Sequence, residues 1–234
     1  MALQWLKYWL KKPKGTANIV GRDVDIVGDV IGRDKRSTTI NYFPSVKEKL
    51  GPPRLAPRVR RPFVGREETF RDLLAALKID EDSVKPPVIV ALNGMAGVGK
   101  TTLAAEIASQ IEEAFPDGTL WTHLDDKPNI MSKLDEWGRA LGQDFSHETS
   151  PQARSDRLHS LLDQKKALIV VDDVWSHTDA EYFLRGGARC RMLITTRNKE
   201  VVDNLDLPSL PQVQCLSPTA SLQLLCELVP RFRE

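Results

Sequence analysis

The chain has 234 residues, 41% of them hydrophobic and 28% charged, with a formal net charge of +1. That balance suits a globular chain and excludes a low-complexity or collagen-like one, and no run approaches the ~20 apolar residues of a membrane span. Three cysteines, Cys190, Cys215 and Cys226, with no CxxC pair, exclude a disulfide framework and point to a reducing, cytoplasmic setting.

Met1 to Leu10 is apolar, but Lys7, Lys11 and Lys12 fall within and after the run, the reverse of a signal peptide. Leu3, Leu6 and Leu10 with Trp5 and Trp9 recur at spacings of three and four, which predicts a short amphipathic helix over 1–12. Such a helix is marginal alone in water. It docks on its own protein or another copy, or lies on a membrane surface with tryptophans in and lysines snorkelling. Residues 18–43 carry short β-branched runs punctuated by Gly and Asp, and Val20-Gly-Arg-Asp23 recurs as Ile31-Gly-Arg-Asp34. This predicts a small β segment whose strands pair between copies. No helical pattern follows its glycines, so it is not read as a phosphate site.

Residues 1–61 hold 14 Lys/Arg against 5 Asp/Glu, whereas 62–234 hold 19 against 27. The first part is a basic arm on an acidic domain, free to touch the domain, a membrane surface or nucleic acid. No helix-turn-helix or other base-reading motif accompanies it, which argues against nucleic acid. Residues 51–62, with four prolines, are predicted to be an extended, semi-rigid linker. Beyond it, over 63–234, strand and helix patterns alternate as in a parallel, helix-flanked α/β sheet. The division is thus 1–50, 51–62 and 63–234.

Val88-Ile-Val-Ala-Leu92 reads as a strand buried on both faces. It feeds into Gly94-Met-Ala-Gly-Val-Gly-Lys-Thr101, and the stretch from Thr102 to Ile111 continues with helical spacing. This is GxxxxGK[ST] in its required setting of strand, loop and helix, a pattern that a random chain this long carries about once in a hundred. Gly94, Gly97, Val98 and Gly99 bring backbone amides together on phosphate oxygens, and the helix starting near Thr101 and Thr102 points its positive end at them. Lys100 supplies a point charge between the β- and γ-phosphates, and the Thr101 hydroxyl is a ligand for Mg²⁺.

Ala167-Leu-Ile-Val-Val-Asp-Asp-Val-Trp175 is an apolar strand ending in two acids, as in a Walker B segment. Asp172 is expected to hold Mg²⁺, and Asp173 to orient or activate the attacking water. The competing reading is an acid that caps the next helix. Cys190 to Arg197 reads as a third strand, ending in Thr195, Thr196 and Arg197. An arginine there reaches a γ-phosphate, or else makes a surface salt bridge at the strand end. His123, His147, His159 and His177 show no ligand spacing, and Trp121, Trp137 and Trp175 are read as core.

In motif order the chain resembles the NB-ARC nucleotide-binding domains of STAND-class P-loop NTPases, over roughly residues 62–229. Pro62-Phe-Val-Gly-Arg-Glu-Glu68 looks like the family's opening motif, and the resemblance implies that Val64 and Arg66 meet adenine. Gly94–Ala104 is similar to its P-loop, Phe115–Trp121 to the strand that follows, Leu168–Trp175 to its Walker B and Leu193–Arg197 to its arginine-bearing sensor strand. Leu216–Leu225 resembles the segment that closes the nucleotide domain. The resemblance implies ATP or ADP with Mg²⁺, slow hydrolysis, and a nucleotide state that controls assembly or signalling, as in bacterial defence or regulation. Residues 1–50 would then be the effector-associated or self-associating part. The alternative is a scaffold that holds nucleotide without turnover. The family continues into a helical lid with a Gly-Leu-Pro-Leu motif and a winged helix, and neither precedes Glu234. The nucleotide is therefore expected to be open on one face and more weakly held than in a full-length relative.

Overall fold

The computed structural model describes residues 51–59, 63–82, 86–207 and 212–229. The expected helix over 1–12 and β segment over 18–43 lie outside the described residues. The chain forms α1 (Glu67–Leu77), β1 (Val88–Asn93), α2 (Lys100–Gln110), a 3₁₀ turn (Glu112–Ala114), β2 (Thr119–His123), α3 (Ile130–Ala140) and α4 (Pro151–Leu162). There follow β3 (Leu168–Val174), α5 (His177–Glu181), β4 (Arg191–Thr196), α6 (Lys199–Asn204) and α7 (Pro218–Leu228). No helix among the described residues is long and apolar enough to cross a membrane.

Local chemistry sets several of these boundaries. Asn129, Ser150 and Ser217 each accept an amide hydrogen from three residues on, capping α3, α4 and α7, and proline occupies the first turn of α4 and α7, where no amide bond is lost. The strand expected from Phe115 begins only at Thr119. Gly118 turns through a positive φ of 103°, and Phe115 is buried in the core instead.

The four strands are all parallel, in the order β1-β4-β3-β2. Burial alternates along each: Val90, Leu92, Leu168, Val170 and Leu193 pack with α1 and α2 residues such as Leu73, Leu77, Leu103 and Ile107. Ala91, Ile169, Val171, Met192 and Ile194 pack in a second cluster with α3 to α6, including Leu134, Trp137, Leu158 and Val201. Two apolar faces explain why these strands read as continuous hydrophobic runs. Each flank of the sheet receives one further parallel bridge, Arg54 to Thr119 beside β2 and Val213 to Gly94 beside β1. The predicted linker is therefore fastened over part of its length: Thr119 N donates to Pro53 O at 2.7 Å, and Leu55 N donates to Thr119 O at 3.0 Å.

Parallel strands place all their carboxyl ends on one edge. With β4 between β1 and β3, the residues ending these three strands share that edge. The β3–β4 register shifts between Val171 and Val174, a bulge that puts Asp173 in the left-handed region at φ 53°. Bulges re-aim side chains, and this one turns an acid pair toward the sheet's edge.

Candidate functional site

The loop from Gly94 to Gly99 crosses the carboxyl edge and delivers α2. Gly97 and Gly99 have φ of 75° and 99°, and nothing would obstruct a side chain at either, so backbone conformation alone demands glycine. Gly94 is different. A Cβ there would lie 2.7 Å from the Val213 carbonyl oxygen, so this glycine admits the segment that borders β1. No side chain caps α2, whose N-cap is Gly99 itself.

Lys100 is 6% exposed, and its Nζ donates to the carbonyls of Gly94 and Met95, both at 2.8 Å. Burial pushes the ammonium's pKa down, and the nearby Arg197 charge adds to that, against the pull of Asp173 and Asp172. The ammonium is thus held in place with no carboxylate in direct contact. A polyphosphate would relieve both penalties.

Asp172 is 1% exposed and collects donors from three elements. Thr101 Oγ1 donates to its Oδ1 at 2.8 Å, Thr195 Oγ1 to the same oxygen at 2.6 Å, and His123 Nδ1 lies 3.0 Å from Oδ2. Since the carboxylate only accepts, His123 carries its hydrogen on Nδ1. Thr195 also accepts from Asp173 N at 2.8 Å, so one hydroxyl fixes both acids. A hydroxyl beside a buried carboxylate is a hard-oxygen donor pair, the kind that takes Mg²⁺ together with phosphate and water. Among the described residues no group of three or more His, Cys, Asp or Glu side chains is placed to hold a metal ion by itself. An ion at Thr101 and Asp172 would therefore complete its shell from outside the protein.

Asp173 and Arg197, expected to serve water and γ-phosphate, are bonded to one another. Nε donates to Oδ1 at 3.0 Å and Nη2 to Oδ2 at 3.1 Å. The arginine thus makes the strand-end ion pair that was its alternative reading. Trp175, expected in the core, is 46% exposed, because it follows the last buried residue of β3 and lies beyond the packed layer. Trp137 is fully buried as expected.

Beside the loop is a cavity of about 210 Å³. Val64 and Arg66 line it with Phe63 on one side, Val98 and Thr102 form its floor, and Leu216, Leu224 and Leu228 close the other side. Arg66 Nη2 donates to Val98 O at 2.8 Å, tying the opening motif to the loop. Burial lowers its pKa. The cavity has a mixed lining, with Phe63, Val64, Val98 and the leucines beside Arg66, Thr102 and the loop glycines, which suits a flat base carrying polar edges.

An NB-ARC domain matches residues 66–233. The chain belongs to the NB-ARC domain family. Human apoptotic protease-activating factor 1 is 30% identical over 226 residues, 91% of this chain and 17% of its own length. A probable disease resistance protein of Arabidopsis thaliana is 27% identical over 195 residues, 80% of this chain and 21% of its own. The regulatory protein AfsR of Streptomyces coelicolor is 30% identical over 181 residues, 73% of this chain and 18% of its own. The chain thus spans about a fifth of the length of these relatives. Among solved structures, Drosophila ORC bound to DNA superposes with a TM-score of 0.50 at 14% identity, over 86% of this chain and 55% of that one. At that identity the likeness concerns the fold, a P-loop α/β sheet.

The NB-ARC fold brings Lys100, Thr101, Asp172, Asp173 and Arg197 to one edge, with Val64 and Arg66 at the adjoining cavity. Sequence reasoning gave no site role to Thr195, His123, Trp175 or Leu228, whereas Leu216 and Leu224 fall in the segment that resembles the closing one. The Thr-Thr-Arg run held the first in plain view, since a hydroxyl one strand from an acid is placed to bond it. Nothing local marked His123, which meets Asp172 only because β2 and β3 pair in register, His123 opposite Asp172.

Proposed function

We propose that residues 63–229 bind ATP and ADP with Mg²⁺ and act as a nucleotide-controlled signalling module that hydrolyses ATP slowly. The observation that carries this is the meeting of Lys100, Thr101 and buried Asp172 at the mouth of a glycine loop, next to a cavity of about 210 Å³. In this reading the amides of Gly97 to Thr102 receive the phosphates, and Lys100 turns from two carbonyls to the β- and γ-phosphate oxygens. Val64, Arg66 and the leucines of α7 enclose the adenine. Thr101 and Asp172 would hold Mg²⁺, which when bound neutralises charge developing on the phosphate oxygens. Thr195 and His123 keep Asp172 aimed. Arg197 donates to the γ-phosphate, and Asp173 orients the attacking water. Family membership supports the reading, as relatives of this family include signalling and regulatory proteins by name. Self-association or effector contact belongs to residues 1–50.

Calorimetric titration with Mg-ATP and Mg-ADP tests the site. Lys100→Ala should weaken ATP at least about 100-fold, the value of a lost charge-assisted contact in a buried site. Equal affinities for wild type and variant would remove the basis of the reading.

A second reading, a scaffold that holds nucleotide without turnover, has one observation in its favour: Asp173 and Arg197 occupy each other. Phosphate release separates the two. Release that disappears in Asp173→Ala while ATP still binds supports hydrolysis, and none from the wild type leaves the scaffold.

A further inference from the structure

Asp173, Arg197 and Trp175 form a closed unit in which each residue touches the other two. Arg197 grips both oxygens of Asp173, at 3.0 and 3.1 Å. Its guanidinium lies 5.2 Å from the centre of the Trp175 ring. The Trp175 indole N–H donates to Asp173 Oδ2 at 3.2 Å. Asp173 has φ 53°, a conformation that a non-glycine residue keeps when its surroundings hold it there. Trp175 is 46% exposed, so its ring serves the arginine more than the core. The unit stands where Thr195 bonds the Asp173 amide, one residue from buried Asp172. The Arg197 charge also reaches Lys100. Two cations therefore bear on one region, and each is occupied by protein acceptors.

We infer that Asp173 and Trp175 hold Arg197 back from the phosphate site, so that a terminal phosphate draws it out and Trp175 acts as a positioning residue that sets the preference for triphosphate over diphosphate. This rests on the nucleotide reading above. The physics is a competition. A guanidinium fork fits a carboxylate and a phosphate with the same geometry, so Asp173 and a γ-phosphate contend for one set of donors. A diphosphate lacks the phosphoryl group that makes the contest. When Arg197 leaves, Asp173 loses its partner at the moment the substrate is complete, and its carboxylate becomes available to a water. The indole ring beside the guanidinium partly desolvates it, and its N–H holds Asp173 in orientation as the arginine departs.

The test combines a mutant cycle with an optical readout. Affinities for Mg-ATP, its non-hydrolysable imido analogue and Mg-ADP are measured for wild type, Asp173→Asn, Arg197→Ala and the double variant. Asparagine keeps the shape and tolerates the left-handed backbone. Asp173→Asn should raise the preference for ATP over ADP about tenfold, the worth of one charge-assisted hydrogen bond. That gain should vanish in the Arg197→Ala background. Trp175→Phe keeps the stack and loses the N–H, and should raise the preference about twofold. The imido analogue, but not ADP, should change the tryptophan emission, and that part of the signal should be missing from Trp175→Phe. A gain that persists without Arg197 would trace to plain repulsion between Asp173 and phosphate, and would overturn the inference while leaving nucleotide binding intact. Identical emission changes with analogue and ADP would do the same. A wild type that binds neither nucleotide overturns both readings.

Discussion

Arg191 is the first residue of β4 and is 1% exposed, yet it makes no ion pair among the described residues. It donates instead to backbone carbonyls: Lys78 at 3.2 and 3.0 Å, Ala188 at 3.2 Å, Cys190 at 3.0 Å, and Glu81. Helix α1 ends at Lys78 in the left-handed conformation, leaving carbonyls that a helix end must satisfy from outside. Burial lowers the arginine's pKa, with the Glu81 charge opposing. Arg191→Met fills the volume but orphans these acceptors, and should cost about 3 kcal/mol in denaturant unfolding. A loss below about 1 kcal/mol would show that water reaches them. Gly94 gives a second prediction at this scale. Because a Cβ would press on the Val213 carbonyl, Gly94→Ala should destabilise the nucleotide-free protein by about 1–3 kcal/mol. Unchanged thermal unfolding without nucleotide would assign that glycine to phosphate contact alone.

At the scale of elements, the stretch that proline content marked as a linker is bonded to β2 through Pro53 and Leu55. Arg54 adds an ion pair with Glu112, though both side chains are exposed and such pairs contribute little. The backbone bonds matter more. Leu55→Pro removes the amide that donates to Thr119 and should cost about 1–2 kcal/mol, read as a lower midpoint in urea. Leu55→Ala should be close to neutral, since that side chain is 39% exposed. What the sequence disclosed, and what it withheld, divides along the same line. Strands β1, β3 and β4 were legible to within a residue or two, because each holds an uninterrupted apolar run, Val88–Leu92, Leu168–Val171 and Met192–Ile194, with both faces covered. The loop and Lys100 were legible because the required residues are adjacent. Trp175 was misjudged because a tryptophan after a buried strand looks like more core, and only the bulge at Asp172 and Asp173 shows that the layer has ended. His123 and the leucines of α7 reach the site through pairing and packing across about 50 and 120 positions, which no local pattern records.

For the whole molecule, buried Lys100, buried Asp172 and left-handed Asp173 meet at the carboxyl edge of the sheet, whereas buried Arg191 begins β4 at its other end. Ligand binding to the folded state alone raises stability by mass action, about 2.7 kcal/mol at 100 times Kd. Mg-ATP at that excess should raise the melting temperature by about 5–11 °C, and Lys100→Ala should abolish the shift while melting near the wild type without ligand. A variant that still responds to ATP would place the binding elsewhere.

The fastening at Thr119 also bears on how copies of this chain can meet. Along the outer border of β2, the Thr119 amide and carbonyl are taken by Pro53 and Leu55, and the Trp121 carbonyl accepts from the Trp137 indole at 3.0 Å. At the opposite border the Asn93 carbonyl is taken by Val213. At these positions the ladder is already continued by the chain's own segments. A strand from another copy can extend the sheet at Thr119 or Asn93 only by displacing the chain's own segment.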